Sequence, residues 1–189
     1  MATFPISGIV PDMMTDDSVL VRRYSDGTVT VTGGKSISVT SGADAATMHA
    51  NGATINLLTP GIAEVVLGAT PTKIKFINMG AITLTGGAGT ATIMADNGSN
   101  TFIAGRGRLT ITGGSGINNY IYHVGSALMA IEDFSVAKGD VLTIDKSLQG
   151  SMRQTSDGQG GTMLTFGSAA TAIDLKEIVA LPSTSIHWI

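Results

Sequence analysis

Acidic side chains cluster in the C-terminal third of the chain, where they could bind a metal ion. Asp133, Asp140 and Asp145 lie in one short stretch, and Glu132 directly precedes the first of them. Carboxylate oxygens are preferred ligands of Ca²⁺, which takes about six to eight oxygens in all. We therefore take Asp133, Asp140 and Asp145 as candidate calcium ligands. The alternative role for these side chains is capping and hydrogen bonding within turns.

Other reactive residue types are not arranged for catalysis or for transition-metal binding. His49, His123 and His187 are far apart and lack the spacing of metal ligands, and the chain contains no cysteine. Serine is plentiful, but the G-x-S-x-G motif of a serine nucleophile does not occur. We therefore predict no catalytic residues, no cofactor other than the calcium considered above, and a protein that is not an enzyme.

The candidate ligands follow a run of nine-residue repeats. Four blocks in succession cover residues 86–121 and read GGAGTATIM, ADNGSNTFI, AGRGRLTIT and GGSGINNYI, and residues 77–85 keep the same frame. The fourth residue of every block is glycine: Gly80, Gly89, Gly98, Gly107 and Gly116. The eighth residue is always apolar: Leu84, Ile93, Phe102, Ile111 and Tyr120. Such a period indicates a repeat architecture in which glycine reverses the chain before a short strand.

Two blocks make one coil, and stacked coils form parallel strands. Apolar residues alternate with polar ones from Gly27 onward, which favours strands over helices. We predict an all-β parallel β-solenoid over residues 27–121, an N-terminal arm or cap over residues 1–26, and a C-terminal β cap over residues 122–189. Within the cap we expect a hairpin with strands at 151–155 and 162–166, followed by an exposed tail at 182–189.

The repeat also predicts which side chains lie above one another. Blocks two apart occupy neighbouring coils, so Phe102 should be a core residue stacked between Leu84 and Tyr120. At the sixth position of the blocks, Asn100 should stack on Asn118, and their amides could form a hydrogen-bonded ladder along one row of turns. The other row, with Ala91 and Leu109 at that position, should be closed by apolar packing.

Composition limits the partners and the location of the protein. The chain has 189 residues, a net charge of -3 and 13% charged residues, and its mean hydropathy of +0.30 is typical of an ordered protein. Such a weak negative charge argues against a nucleic acid partner. No apolar run approaches the ~20 residues of a membrane span. The N-terminal segment lacks the basic start and apolar run of a signal peptide, so any export should proceed without one.

The glycine-rich blocks, followed by IEDFSVAKGDVLTI at residues 131–144, resemble the repeats-in-toxin (RTX) family with its haemolysin-type calcium-binding nonapeptides. The pattern of that family is G-G-x-G-x-D-x-U-x, where U is a large apolar residue. The block GGSGINNYI is the closest match. The residues Asp133-Phe134 and Gly139-Asp140 resemble the "DF…GD" segment that follows the last repeat in the family. The resemblance covers roughly residues 77–189.

The resemblance implies a right-handed parallel β-roll that is exported through a type I secretion channel. It places an uncleaved secretion signal within residues 122–189 and locates the protein outside the cell or on its surface. In the family, aspartate at the sixth position binds calcium between stacked turns, whereas here that position holds other residues: Ala91, Asn100, Leu109 and Asn118. We therefore expect the repeats to fold without calcium.

Because the residues predict no catalytic site, the sequence favours a structural function. We interpret the chain as a secreted, self-assembling β-solenoid that serves as a subunit of a surface layer, an extracellular or biofilm matrix, or a filament. Its main partner would be further copies of itself, and a cell-surface polysaccharide is a second partner to consider. The first alternative is a calcium-binding RTX adhesin or carrier module, and the second is a carbohydrate-active enzyme.

Overall fold

The structure is a computed structural model of the chain. It describes the backbone of residues 2–6, 13–14, 20–23, 28–32, 36–41, 46–51, 54–58, 63–77, 81–168 and 170–189, and the side chains of residues 64–76, 81–168 and 170–189. Two positions used in the sequence analysis lie outside the described residues, namely Gly27, where the solenoid was predicted to begin, and Gly80 of the first block.

The described residues form strands almost throughout. The strands that precede the regular blocks are β1 Ala2–Ile6, β2 Met13–Met14, β3 Leu20–Arg23, β4 Thr28–Thr32, β5 Ser36–Ser41, β6 Ala46–Asn51, β7 Thr54–Leu58, β8 Ala63–Leu67 and β9 Thr72–Ile77. They are followed by β10 Ile82–Thr85, β11 Ala91–Met94, β12 Thr101–Ile103, β13 Leu109–Thr112, β14 Asn119–Tyr122, β15 Met129–Ile131, β16 Val141–Ile144, β17 Met152–Ser156, β18 Thr162–Phe166, β19 Ala172–Leu175 and β20 Ile186–Trp188. Short 3₁₀ helices cover Val136–Lys138, Lys146–Ser151 and Ser183–Ser185.

The strands form two ten-stranded sheets that the chain visits in alternation. The order in the first sheet is β1-β5-β7-β9-β11-β13-β15-β19-β18-β17, and in the second it is β2-β3-β4-β6-β8-β10-β12-β14-β16-β20. From β6 to β16 each strand lies in the sheet opposite its predecessor and pairs in parallel with the strand two positions earlier. The predicted all-β β-solenoid with a C-terminal β cap is confirmed.

The register between coils is the one that the nine-residue blocks predict. In the second sheet Leu84 pairs with Phe102, and Phe102 pairs with Tyr120. All three side chains are fully buried, and the rings of Phe102 and Tyr120 stack with their centroids 5.4 Å apart. In the first sheet Ala91 pairs with Leu109, and both are buried. The core therefore lies between the two sheets, where inward-facing side chains of successive coils stack on one another.

Coil stacking continues beyond Ile121, although the nine-residue period does not. Strand β15 pairs in parallel with β13 and β19, and β16 pairs in parallel with β14 and β20. The period is lost because the turns lengthen, to nine residues at 132–140 and ten at 176–185, while the strands keep their places. The end of the period therefore marks longer turns within one continuing stack. The division of the chain into domains at residues 26 and 121 stays a prediction.

The predicted C-terminal hairpin is present and extends the first sheet. Strand β17 pairs antiparallel with β18, and β18 pairs antiparallel with β19. Leu164 and Phe166 of β18 are buried, whereas most of β17 is exposed. Leu148 and Ile178 from the connecting segments pack against the core at this end. The hairpin thus extends the first sheet beyond its last parallel strand, β19.

The expectation of an exposed tail at residues 182–189 holds only in part: the residues 182–184, His187 and Ile189 are exposed, but the tail pairs with the stack. Residues Ile186–Trp188 form β20, and Leu142 of β16 pairs with Ile186. Both Ser185 and Ile186 are buried. The physical reason is that Ile186 continues the inward row formed by Tyr120 and Leu142, so that burial of one more apolar residue draws the tail onto the stack.

The turns between the sheets form two rows of different chemistry. We call the turns that lead from the first sheet to the second the asparagine row, which comprises residues 95–100, 113–118 and 132–140. We call the turns that lead back the glycine row, which comprises residues 86–90, 104–108 and 123–128.

Most of the repeated glycines are required by close contact between coils. A Cβ added to Gly107 would lie 2.0 Å from the carbonyl oxygen of Gly89, and one added to Gly89 would lie 2.5 Å from the carbonyl oxygen of Thr70. Gly116 has the same relation to Gly98 in the asparagine row. Of the described fourth-position glycines only Gly98, with φ of 86°, adopts the left-handed conformation that favours glycine. The four glycines therefore lie in turns, as predicted, but glycine is needed for its backbone conformation at Gly98 only and for close contact at the other three.

Candidate site in the asparagine row

The asparagine row contains the predicted amide ladder. Asn100 Nδ2 donates a hydrogen bond to Asn118 Oδ1 at 3.0 Å, and the backbone N–H of Asn100 donates to the same oxygen at 3.2 Å. One coil earlier, the backbone N–H of Ile82 donates to Asn100 Oδ1 at 3.2 Å. Asn100 and Asn118 are both buried. Each amide therefore satisfies backbone groups that would otherwise lack partners inside the stack.

Asp140 is the next member of this ladder, which the sequence analysis missed. Its Oδ1 accepts a hydrogen bond from the backbone N–H of Asn118 at 2.9 Å and lies 3.5 Å from Asn118 Nδ2. Its side chain is fully buried. A sequence signal existed, since Asp140 stands two residues before the core residue Leu142, as Asn118 stands two before Tyr120.

The second oxygen of Asp140 faces the ammonium group of Lys138. Lys138 Nζ lies 3.5 Å from Asp140 Oδ2, and the backbone N–H of Ser135 donates to that oxygen at 2.8 Å. Lys138 Nζ also donates to the carbonyl oxygen of Gly114 at 2.6 Å. The ammonium therefore connects the enlarged turn at residues 132–140 with the turn one coil earlier.

Asp133 lies on the other side of the same ammonium. Its two carboxylate oxygens accept hydrogen bonds from the backbone N–H groups of Gly113 and Gly114, at 2.7 Å and 2.8 Å. Its Oδ2 lies 4.0 Å from Lys138 Nζ. The structure thus brings two of the three candidate calcium ligands, Asp133 and Asp140, around one lysine side chain.

Asp145, the third candidate, lies at the opposite end of β16, next to the glycine row. Its Oδ2 accepts a hydrogen bond from the backbone N–H of Val124 at 2.7 Å, and its Oδ1 lies 2.9 Å from His123 Nδ1. The structure does not bring it to Asp133 and Asp140. Within the described residues, no group of three or more histidine, aspartate and glutamate side chains is placed to hold a metal ion.

The His123–Asp145 pair has the geometry that orients a histidine base in many enzymes. A neighbouring hydroxyl, Ser126 Oγ, is buried and donates to the carbonyl oxygen of Ala104 at 3.3 Å.

Burial also raises the pKa of the Tyr120 and Tyr122 hydroxyls well above their ordinary value. These hydroxyls therefore stay protonated and are poor nucleophiles. His187 is exposed on β20, and the side chain of His49 is outside the described residues.

Asp145 should make stability depend on pH in the acid range. The hydrogen bonds from Val124 N–H and His123 lower the pKa of the Asp145 carboxyl below its ordinary value of 3.8. The folded state therefore binds its proton less readily than the unfolded state, and this contribution to stability is present above pH 3.8 and lost as the pH falls through the lower, folded pKa. Asp145→Asn should flatten the fall of the urea midpoint below that pH. Ser147→Ala, at an exposed position without a titratable group, is the control and should leave the profile as it is in the wild type.

The ladder predicts that Asn118→Asp destabilises the protein. A carboxylate oxygen would replace the Nδ2 donor that faces Gly116 O at 3.0 Å and Asp140 Oδ1 at 3.5 Å. We expect a loss of about 1–3 kcal/mol in the free energy of unfolding, because a buried acceptor loses its donor and two buried carboxylates repel. Urea unfolding in the presence of a chelator measures this loss. Asn97→Asp, at an exposed position that keeps its acceptor for Ser115 Oγ, should change stability little, and equal stability of the two variants would contradict the ladder.

No protein-family model matches the chain, and a search of curated proteins finds no significant match. Within the described residues, no helix has the length and apolar character that a membrane crossing requires. The resemblance to the RTX family therefore stays a prediction from the sequence, and the function has to be argued from the geometry of the stack.

Proposed function

We propose that the protein is a secreted structural subunit that assembles with further copies of itself. The observation that supports this best is the end of the second sheet. Strand β20 is the last strand there, and its outer side pairs with no strand among the described residues. An edge strand of this kind is a template for pairing with another chain.

The backbone of β20 leaves hydrogen-bonding groups available at this edge. Ile189 N donates to Ile144 O at 3.0 Å, and Lys146 N donates to Ile189 O at 2.6 Å, so Ile189 directs both groups toward the body of the protein. Backbone groups alternate in direction along a strand, so those of Trp188 point to the outer edge. Pairing of this edge with a strand of a second copy would satisfy them.

The other sheet end is less suited to assembly. Strand β17 has exposed side chains from Arg153 to Ser156, and Arg153 Nη1 bonds to the carbonyl oxygen of Met152 on the same strand. Charged and polar edge strands are one way in which proteins prevent edge pairing. We therefore assign assembly at this end of the solenoid to β20.

The assembly edge can be tested by the oligomeric state. The wild-type protein should grow in size with concentration in analytical ultracentrifugation. Ile189→Lys, which places a charge beside the β20 edge at a residue that is 60% exposed, should reduce this growth. Met94→Lys is the matched control, because Met94 is 49% exposed on the outer face of the first sheet, and it should assemble as the wild type does. A wild-type protein that stays monomeric at every concentration would contradict the proposal.

The contacts of the asparagine row support folding and assembly without calcium. Amide groups join Asn100 to Asn118, and an ammonium lies between the carboxylates of Asp133 and Asp140. We expect the wild type to have the same melting curve and particle size in a chelator and in millimolar calcium. Unfolding or disassembly in the chelator would instead favour the alternative function, a calcium-binding adhesin or carrier module.

Export through a type I channel is part of the same proposal. It is supported by the resemblance of residues 131–144 to the segment that follows RTX repeats, and by the absence of cysteine. The full chain should reach the medium of a host that carries a type I channel and should stay inside a host that lacks one. Deleting the C-terminus is a poor test, because Leu164, Ile173 and Leu175 belong to the core.

A groove among the described residues offers a surface for a polysaccharide partner. A groove of about 330 Å³ runs along the second sheet and is lined in part by Ser99, Thr101, Asn119, Thr143 and His187. Hydroxyl and amide groups of this kind can bond to sugar hydroxyls. Wild-type protein should then be retained on an immobilised polysaccharide and Asn119→Lys should not, while equal retention of both would contradict this partner.

A further inference from the structure

Two lysine side chains of the C-terminal region are surrounded by oxygens in a similar way. The first is Lys138, whose Nζ lies within 4.0 Å of three oxygens: Gly114 O at 2.6 Å, Asp140 Oδ2 at 3.5 Å and Asp133 Oδ2 at 4.0 Å. The hydroxyl of Tyr120 also belongs to this neighbourhood. It is buried without a hydrogen-bond partner, beside Gly113.

The second lysine is Lys176, which follows β19. Its Nζ lies 2.8 Å from Asp174 Oδ2, 3.1 Å from Asp157 Oδ2 and 3.4 Å from Gln159 Oε1. The side chains of Asp157 and Asp174 are only 2% and 7% exposed. The remaining oxygen of Asp174, Oδ1, is buried without a hydrogen-bond partner.

Both lysines lie where the chain departs from the nine-residue frame. Lys138 holds the enlarged turn at residues 132–140 against the preceding turn. Lys176 joins the tip of the β17–β18 hairpin, where Asp157 accepts hydrogen bonds from Gln159 N and Gly161 N, to β19, the last parallel strand of the first sheet. Each ammonium thus joins an irregular segment to the regular stack.

The charges explain why a cation is needed at each place. Two carboxylates withdrawn from water repel each other, and an unpaired buried charge is strongly destabilising. Oxygen atoms in sets of this kind, with carboxylates and a carbonyl or amide oxygen, are also the ligands that hard divalent cations prefer. A lysine ammonium and a divalent ion are therefore alternative ways to neutralise the same oxygens.

We infer that Lys138 and Lys176 are built-in cations, each of which occupies a position among oxygen ligands that would otherwise take a divalent metal ion. The C-terminal part of the solenoid consequently folds without any metal ion from the medium. This inference is independent of assembly, because it concerns the fold of a single chain.

The test removes the charge and keeps the length of the side chain. Lys138→Met and Lys176→Met should each lower the thermal midpoint in a chelator, on the order of 5–10 °C, because a partly or fully buried carboxylate pair loses its cation. Calcium or magnesium chloride at millimolar concentration should then raise the midpoint of each variant again, since an ion that binds only the folded state stabilises it. Titration calorimetry with either salt should detect binding to the variants and none to the wild type.

Three control variants test whether the loss of stability comes from the missing charge at these two positions. Lys146→Met removes an exposed lysine and should behave as the wild type does, with and without added ion. Lys138→Arg and Lys176→Arg keep the positive charge and should keep most of the stability without gaining a response to the ions. The inference is overturned if the methionine variants are as stable as the wild type in chelator. It is equally overturned if they lose stability but respond to neither ion, or if the wild type responds as strongly as they do.

Discussion

Gly107→Ala is expected to lower the free energy of unfolding by about 3 kcal/mol or more, at or above the upper end of what overpacking costs. The added methyl would meet the backbone of Gly89 one coil away, at a distance that folded proteins do not tolerate. A backbone cannot move aside as a flexible side chain can, so the two coils would have to separate. That separation would strain the hydrogen bond from Gly107 N to Gly87 O, now 2.8 Å long. Equilibrium unfolding in urea measures the loss.

Gly150→Ala is the matched control for this experiment. A methyl on Gly150 would meet nothing within 4 Å, and the residue does not have a positive φ. The same chemical change should therefore leave stability within about 0.5 kcal/mol of the wild type. If Gly107→Ala were as mild as Gly150→Ala, the close approach of the coils in the glycine row would be contradicted.

Phe102→Ala is the second change with a large expected effect. Phe102 is fully buried, pairs with Leu84 and Tyr120, and stacks on the ring of Tyr120. Truncation of a buried phenylalanine typically costs about 3–5 kcal/mol, since apolar burial is lost and a cavity is left. We expect a loss of that size, measured as a fall of the urea midpoint at unchanged slope.

Met94→Ala is the control for the core substitution. It also removes a large apolar side chain from a strand, but Met94 is 49% exposed and points away from the core. We expect it to cost much less than Phe102→Ala. Similar losses for the two variants would contradict the prediction. They would mean that the positions facing the core and those facing solvent have been assigned incorrectly.

The repeated blocks allowed much of the stack to be predicted. A strict interval fixes which residues meet in neighbouring coils, so the pairs Phe102–Tyr120, Ala91–Leu109 and Asn100–Asn118 follow from counting alone. The chemistry of each pair then follows from residue type. Apolar pairs fill the core, and amides hydrogen-bond along the row of turns because their donors and acceptors repeat at the spacing of the strands.

The same counting fails where turns change length. Asn118 and Asp140 are 22 residues apart, whereas Asn100 and Asn118 are 18 apart. Asp140 therefore could not be placed on the ladder by the period, although its position two residues before Leu142 indicated it.

The role of the glycines was missed for another reason. A glycine required for turning and one required for close contact look alike in a sequence, and only backbone distances separate them.

Two carboxylates of the cluster around Lys138 were singled out from the sequence, whereas calcium binding by them stays a prediction. The sequence drew attention to Asp133 and Asp140, and the structure brings both to one position. It could not reveal that Lys138 lies between them, because the lysine reaches Gly114 across 24 residues of chain. Nor could it separate Asp145 from the others, because the strand that divides them is only four residues long and places them at opposite ends.

The two unlike rows of turns limit how such a chain could gain or lose length. The sequence repeats every nine residues, but an insertion of nine residues would move every later strand into the other sheet. Asparagine-bearing turns would then face turns whose glycines admit no side chain. An insertion of 18 residues, the separation of Asn100 and Asn118, would keep each row in its own place. The unit by which this protein can be lengthened, in evolution or by design, is therefore the whole coil.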